Sequence, residues 1–263
     1  MGYANILFST DSGIVRVTLN RQDKLNAFND AMHAELRDAL ARVKADASVR
    51  VLLLTGAGRA FCSGQDLADR AVKPGSEPVD IGASIERNYK PLVLTLRALP
   101  IPVVCAVNGV AAGAGANVAL ACDIVIATRS ASFIQAFCRI GLVPDAGGTH
   151  FLPRLIGTAR AMGLALLGDR LSAEQAAAWG LIWKCVDDGE FSATVEALLR
   201  QLAIAPTRSL GAIKRALQLS AGNTLEAQLD VERDFQQEMG RSADFQEGVA
   251  AFAEKRPPRF TGK

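Results

Sequence analysis

The chain reads as an α/β protein of stacked β-β-α units or a parallel α/β sheet, followed by a helical tail. Three observations predict it. Apolar, β-branched runs suited to buried strands alternate with segments of helical spacing through the first half of the chain. Residues 102–127 condense that pattern into an apolar run, a glycine-rich turn, a small-residue helix and a second apolar run. From residue 189 onward only helical candidates remain, separated by Gly, Pro, Asn and Ser. A chain of 263 residues can bury one large core and carry an appendage, which places an α/β core at 1–200 and a helical region at 201–263.

Residues 5–9 and 13–20 alternate apolar and polar around Asp11-Ser12-Gly13, the pattern of a β-hairpin. A loop, RQDKLNAF (21–28), follows. Asn29 is a good N-cap, and beyond it Met32, Leu36, Ala39, Leu40 and Val43 recur at helical spacing, with balanced charge opposite and His33 on the solvent side. VRVLLLTG (49–56) is a buried strand, and AGRAFCSGQDLADR (57–70) a glycine-containing loop running into a helical turn. The Pro- and Gly-rich segment 73–78 is expected to be the most mobile. A helix near 82–98 stops ahead of Pro100. After the central unit come a short strand within 130–137 and a loop, 138–157, leading into a helix. Helices are predicted at 158–167, 172–178, 189–204, 206–220, 223–240 and 242–254, with one strand near 181–186.

A net charge of +2 gives no global electrostatic case for nucleic acid or an anionic membrane surface. The five cysteines lie mostly in apolar runs without close pairing or metal-ligand spacing, so they read as buried free thiols of a reducing compartment. The first residues show no basic stretch followed by an apolar core, and no run reaches the ~18 apolar residues that span a bilayer, so a cytoplasmic protein without a bound metal is expected. GVAAGAG does not match G-x-G-x-x-G, and neither GKS nor GKT occurs, which argues against a nucleotide loop.

Two features carry chemistry on their residues alone. Gly109, Gly113 and Gly115 strip side chains from the turn into a helix, either exposing N–H groups to a developing negative oxygen or only allowing tight packing. Asp145, in LVPDAGG, is either a general base, its pKa raised by apolar walls at Phe133, Phe137 and Leu142, or an N-cap for the helix that follows.

The loop AFCSGQDL (60–67), the turn NGVAAGAGANVAL (108–120) and the segment GLVPDAGGT (141–149), in this order and spacing, resemble the crotonase (enoyl-CoA hydratase/isomerase) superfamily. The resemblance runs from the first hairpin to EGVAAFAEKRPPRF (247–260). It implies a spiral of ββα units, C-terminal helices that mediate trimer assembly, and an acyl-CoA thioester as substrate, with no cofactor beyond the CoA that the substrate carries. It places the N–H groups of Gln65 and Ala114 on the thioester oxygen and gives Asp66 a structural role. Hydratases of this family hold water with two glutamates, at positions that here carry Asn117 and Phe137. Asp145 stands instead where a glycine commonly follows the loop proline.

One carboxylate beside an oxyanion hole suits an isomerase that removes a proton next to the thioester and returns it further along the conjugated system. Asn117, Phe133, Phe137 and Leu142 would then line the acyl pocket. Lys24, Leu25 and Ala27 of the first loop, with Ala60, Ser63 and Gly64 of the second, would cradle CoA, and Lys24 and Lys255 would meet its phosphates. The implied partners are an acyl-CoA and further copies of the chain, as a homotrimer or dimer of trimers, and neither nucleic acid nor membrane. Within the family the alternatives are a Δ3,Δ2-enoyl-CoA isomerase or hydratase on linear chains, an aryl-CoA dehalogenase, and a non-catalytic scaffold.

Overall fold

In the computed structural model, which describes residues 2–70 and 80–263, Ser12 and Gly13 take φ of 51° and 78° and close a two-residue turn between β1 (Ile6–Asp11) and β2 (Ile14–Leu19). Such a turn matches the right-handed twist of the strands it joins. The segment 73–78, expected to be mobile, lies outside the described residues. The Asn29 side chain accepts the Met32 N–H at 2.8 Å and starts α1 (Asp30–Ala45), which buries Met32, Leu36, Ala39, Leu40 and Val43 as its spacing predicts. His33 corrects the sequence reading: it is 1% exposed, stacked on Phe28 at 5.0 Å and edge-on to Tyr89 at 4.5 Å. Two aromatic partners widen the buried stripe of the helix by one position.

After α1 the chain runs through β3 (Val51–Gly56), β4 (Ala60–Cys62) and α2 (Ile81–Ser84), then a π-turn (Ile85–Tyr89) into α3 (Lys90–Ala98). Pro91 accounts for the π-turn, since its ring would collide with the carbonyl four residues back in a regular helix. The central unit is β5 (Val103–Val107), β6 (Val110–Ala112), α4 (Ala114–Leu120) and β7 (Ile124–Thr128). Next come β8 (Ser132–Ile134), α5 (Gly148–Leu167), which breaks at Gly157, β9 (Arg170–Ser172), α6 (Ala173–Ala178) and β10 (Lys184–Val186). The tail is α7 (Phe191–Ala203), α8 (Thr207–Ser220), α9 (Leu225–Met239) and α10 (Ala243–Ala253).

A six-stranded sheet, β1-β2-β3-β5-β7-β10, is antiparallel at its first pair and parallel elsewhere. A second sheet, β4-β6-β8-β9, is parallel except for β9. Each pair β3/β4, β5/β6 and β7/β8 leaves one strand in each sheet, which is the predicted ββα repetition. Along β3, Leu52 and Leu54 enter the main core while Val51 and Leu53 pack under Val195 and Leu199 of α7. Both faces are buried, which is why these strands read as unbroken apolar runs.

The loop expected at 57–70 contains β4, and β6 and β9 were likewise absent from the sequence reading. Each has three residues, too few for a period to register, and forms because its neighbours offer an open edge. Cys62, Cys105 and Cys122 are buried, whereas Cys138 and Cys185 are only half-buried. Among the described residues no helix is long and apolar enough to cross a membrane.

Candidate functional site

The stretch from Gly109 into the first turn of α4 packs tightly on the chain at 59–62, and glycines make the fit. A Cβ at Gly115 would lie 2.6 Å from the Cys62 carbonyl oxygen, and one at Gly109 2.3 Å from that of Arg59. These two are packing glycines. Gly113 differs: its φ of 52° and ψ of −128° suit glycine alone, and only Phe137, at 3.8 Å, lies near its missing Cβ. Gly64, at φ 99°, approaches the same turn, its missing Cβ falling 3.0 Å from Ala112 O and 3.6 Å from Ala114 N.

The two N–H groups singled out in the sequence, on Gln65 and Ala114, therefore sit on adjoining segments. Phe28 pairs with the Gln65 loop as an isolated parallel bridge, donating its N–H to Gly64 O at 2.7 Å and accepting from Asp66 N at 2.9 Å. That pattern turns the Gln65 N–H away from the bridge. Ala114 is the first residue of its helix, so its N–H has no acceptor within α4. Among the described residues neither N–H donates to a backbone oxygen.

Asp145 opens the turn ahead of α5, followed by Ala146 and Gly147 in left-handed conformation at φ 47° and 86°. Gly147 is the N-cap residue of this helix, two positions after Asp145. Its carbonyl accepts from Gly148 N at 2.8 Å and from Asn117 Nδ2 at 2.9 Å. Asn117, expected to line the pocket, is fully buried behind this turn, and its Oδ1 accepts from Gln135 Nε2 at 2.8 Å. Phe137 lies against Gly113, Phe133 is buried in the core on β8, and Leu142 is 39% exposed on the loop before Asp145.

Lys24 and Leu25 meet the second loop directly. Ser63 N donates to Leu25 O at 3.0 Å and Ser63 Oγ to Lys24 O at 3.3 Å. Asn26, which sequence reasoning passed over, holds the two loops together: its Nδ2 donates to Ala57 O at 2.9 Å and Ala60 O at 2.8 Å. Arg21 binds Ala27 O at 2.7 Å and Asp66 Oδ2 at 3.0 Å. Burial works to raise the Asp66 pKa, but Arg21 and the Ala68 N–H outweigh it and hold the carboxyl below its ordinary value. This fits the structural role expected of Asp66.

Tyr89 Oη donates to Gln65 Oε1 at 2.8 Å, an anchor with no sequence signal because 24 residues separate the pair. Lys255 stands apart, exposed just past the C-terminal end of α10. Burial pushes the Cys62 thiol up to about 12, which leaves it no thiolate chemistry near neutral pH. Burial, then the charges of Arg154 and Arg97, lowers the pKa of His150.

Paired strands shared between two sheets, and adjoining amides where two loops meet, define a class. The chain belongs to the enoyl-CoA hydratase/isomerase family of the crotonase superfamily, whose family model matches residues 9–263. It is 58% identical over 98% of both chains to 1,2-epoxyphenylacetyl-CoA isomerase of Escherichia coli K12. It is 35% identical over the full length of both to a trans-2-decenoyl-acyl-carrier-protein isomerase of Streptococcus mutans. The crystal structure of an enoyl-CoA hydratase from Bacillus anthracis superposes with a TM-score of 0.93 at 32% identity, covering 99% of this chain and all of that one.

Proposed function

We propose that this chain is an acyl-CoA isomerase that converts ring-1,2-epoxyphenylacetyl-CoA to its seven-membered oxepin form. One observation carries the proposal: a carboxylate, Asp145, on a turn tied to the helix whose first N–H, with that of Gln65, donates to no backbone oxygen among the described residues. The similarity to the Escherichia coli isomerase over nearly the whole chain supports the same choice of substrate.

In this mechanism the Gln65 and Ala114 N–H groups donate to the thioester oxygen. Such donors are typically worth about 3–4 kcal/mol each when aimed at a developing oxyanion. They stabilise the enolate that forms as Asp145 takes a proton from the carbon next to the thioester. Opening of the epoxide carbon–carbon bond precedes this step and enlarges the ring by electron reorganisation alone; after it Asp145 returns the proton to a ring carbon. One C–H bond breaks and one forms, so mass is unchanged. Asn117 and Phe137, where resemblance places the hydratase glutamates, hold no water for addition, and an epoxide is thereby spared hydrolysis.

Lys24, Leu25 and Ala27, with Ala60, Ser63 and Gly64, form the CoA cradle, and Lys24 and Lys255 meet the phosphates. The chain works in the cytoplasm as a homotrimer or dimer of trimers, its 201–263 region supplying the contacts between copies. The exposure of Leu217, Leu225, Val249 and Phe252 on that region supports assembly.

The test supplies the epoxide and a linear Δ3-enoyl-CoA separately to wild type and Asp145→Asn. Oxepin-CoA at unchanged mass, reduced about 10²- to 10⁴-fold in the variant, is the expected result. Turnover of the linear substrate alone would make the chain a general enoyl-CoA isomerase. Water addition, or an undiminished variant, would overturn the proton-shuttle assignment.

A further inference from the structure

We infer that Asn117 and Gln135 form a two-link positioning chain that fixes the main chain of Asp145, and so aims the base that this residue carries. The inference rests on the proposed isomerase mechanism. Its first support is the polarity of the chain. Gln135 Nε2 donates to Asn117 Oδ1 at 2.8 Å, and Asn117 Nδ2 donates to Asp145 O at 2.9 Å. The Asn117 amide accepts through its oxygen on one side and donates through its nitrogen on the other. A flipped amide, or an ionised carboxylate, would set oxygen against the Asp145 carbonyl.

Burial supplies the second support. Asn117 is 0% and Gln135 3% exposed, so no solvent is available to exchange for either bond. The third is conformational. Ala146 and Gly147 both hold left-handed φ immediately after Asp145, and for Ala146 that is an unfavourable state which surrounding contacts must impose. The fit around Asn117 is close enough to impose it, since a Cβ at Gly148 would come within 2.3 Å of Asn117 Nδ2. Asn117 also lies one helical turn from Ala114, so the turn that carries the base is referenced to the helix that supplies one of the oxyanion donors.

Asn117→Leu and Gln135→Met keep volume and remove the bonds, and the double variant completes a cycle. The assay is exchange of the α-proton of phenylacetyl-CoA with deuterium from solvent, which reads proton abstraction alone, alongside isomerisation of the epoxide. Thermal melting confirms that each variant is folded. Asn117→Leu is expected to lower the exchange kcat about 10- to 100-fold with KM within about twofold, because the CoA cradle lies on other segments. Gln135→Met should lower it about 3- to 10-fold, and the double variant should match Asn117→Leu, since one chain broken twice is no worse than broken once.

Losses that multiply independently, losses in KM alone, or an unchanged kcat in folded Asn117→Leu would overturn the inference while leaving the isomerase assignment intact. Failure of that assignment looks different: wild type and Asp145→Asn would be alike, with α-proton exchange in neither, and both proposals would fall.

Discussion

At the scale of the residue, the glycines around α4 divide into two kinds whose substitution should fail differently. Gly115→Ala places a methyl 2.6 Å from Cys62 O and 2.7 Å from Cys62 Cβ, contacts that the backbone must move to relieve. Urea unfolding should show a loss of about 1–3 kcal/mol, the range for overpacking a well-filled interior. Gly113→Ala meets no such clash, with Phe137 at an ordinary 3.8 Å, but forces alanine to φ 52° and ψ −128°. Relaxing that strain rotates the peptide that carries the Ala114 N–H, so kcat should fall more in Gly113→Ala than in Gly115→Ala at equal loss of stability.

The sequence left open whether these glycines serve a ligand or packing, because composition cannot distinguish a positive φ from a close approach. The same limit explains His33, whose burial depends on rings at Phe28 and Tyr89, the latter 56 positions away by the sequence numbering. Asp145, Gln65 and Ala114 could be proposed from the sequence because each sits in a local motif. Asn117 to Gln135 and Tyr89 to Gln65 were not, because no local pattern links residues 18 and 24 apart.

At the scale of the element, α8 is fastened to the core by a nearly buried ion pair. Lys214 Nζ lies 2.8 Å from Asp123 Oδ2 and donates to Leu96 O at 2.9 Å and Ile101 O at 3.3 Å, while Asp123 Oδ2 accepts from Val103 N at 2.8 Å. Burial raises the Asp123 pKa and lowers that of Lys214, and each group's attraction to the other opposes the shift. Lys214→Met strands the carboxylate and two carbonyls, and denaturant unfolding should register a loss of about 3–5 kcal/mol.

The tail beyond α10 is held by a different kind of pair. Arg256 and the Arg259 N–H depress the Glu247 pKa to about 2, from an ordinary 4.5. A depressed carboxylate stabilises the fold above its unfolded pKa, and that contribution is lost as pH falls through the folded value. Protection against hydrogen exchange at 256–262, taken relative to the intrinsic rate at each pH, should therefore hold down to about pH 4.5 and be lost toward pH 2, with Glu247→Gln already unprotected at neutral pH. Helices of this tail were predicted nearly to their ends, because Gly, Pro, Asn and Ser mark their limits locally. The short strands β4, β6 and β9 were invisible, because what stabilises them lies in the partner strand.

At the scale of the molecule, an isolated copy leaves a broad apolar surface on the tail, with Phe252 86%, Leu225 78% and Leu217 68% exposed. A patch of this kind on a globular chain marks a surface meant to be covered. On the proposed assembly, covering this surface would also set the placement of Lys255, which is exposed three residues beyond Phe252. Gln65, Ala114 and Asp145 all lie outside this tail, so breaking the assembly should leave the chemistry and weaken the hold on CoA. Phe252→Glu should reduce the mass measured by light scattering from that of three or six chains to that of one. In the dissociated variant KM for the acyl-CoA should rise about tenfold, as for loss of one desolvated phosphate contact, while kcat stays within about threefold of wild type. A dissociated variant with unchanged KM would remove Lys255 from the CoA site, and one with collapsed kcat would mean that assembly shapes the α4 turn itself.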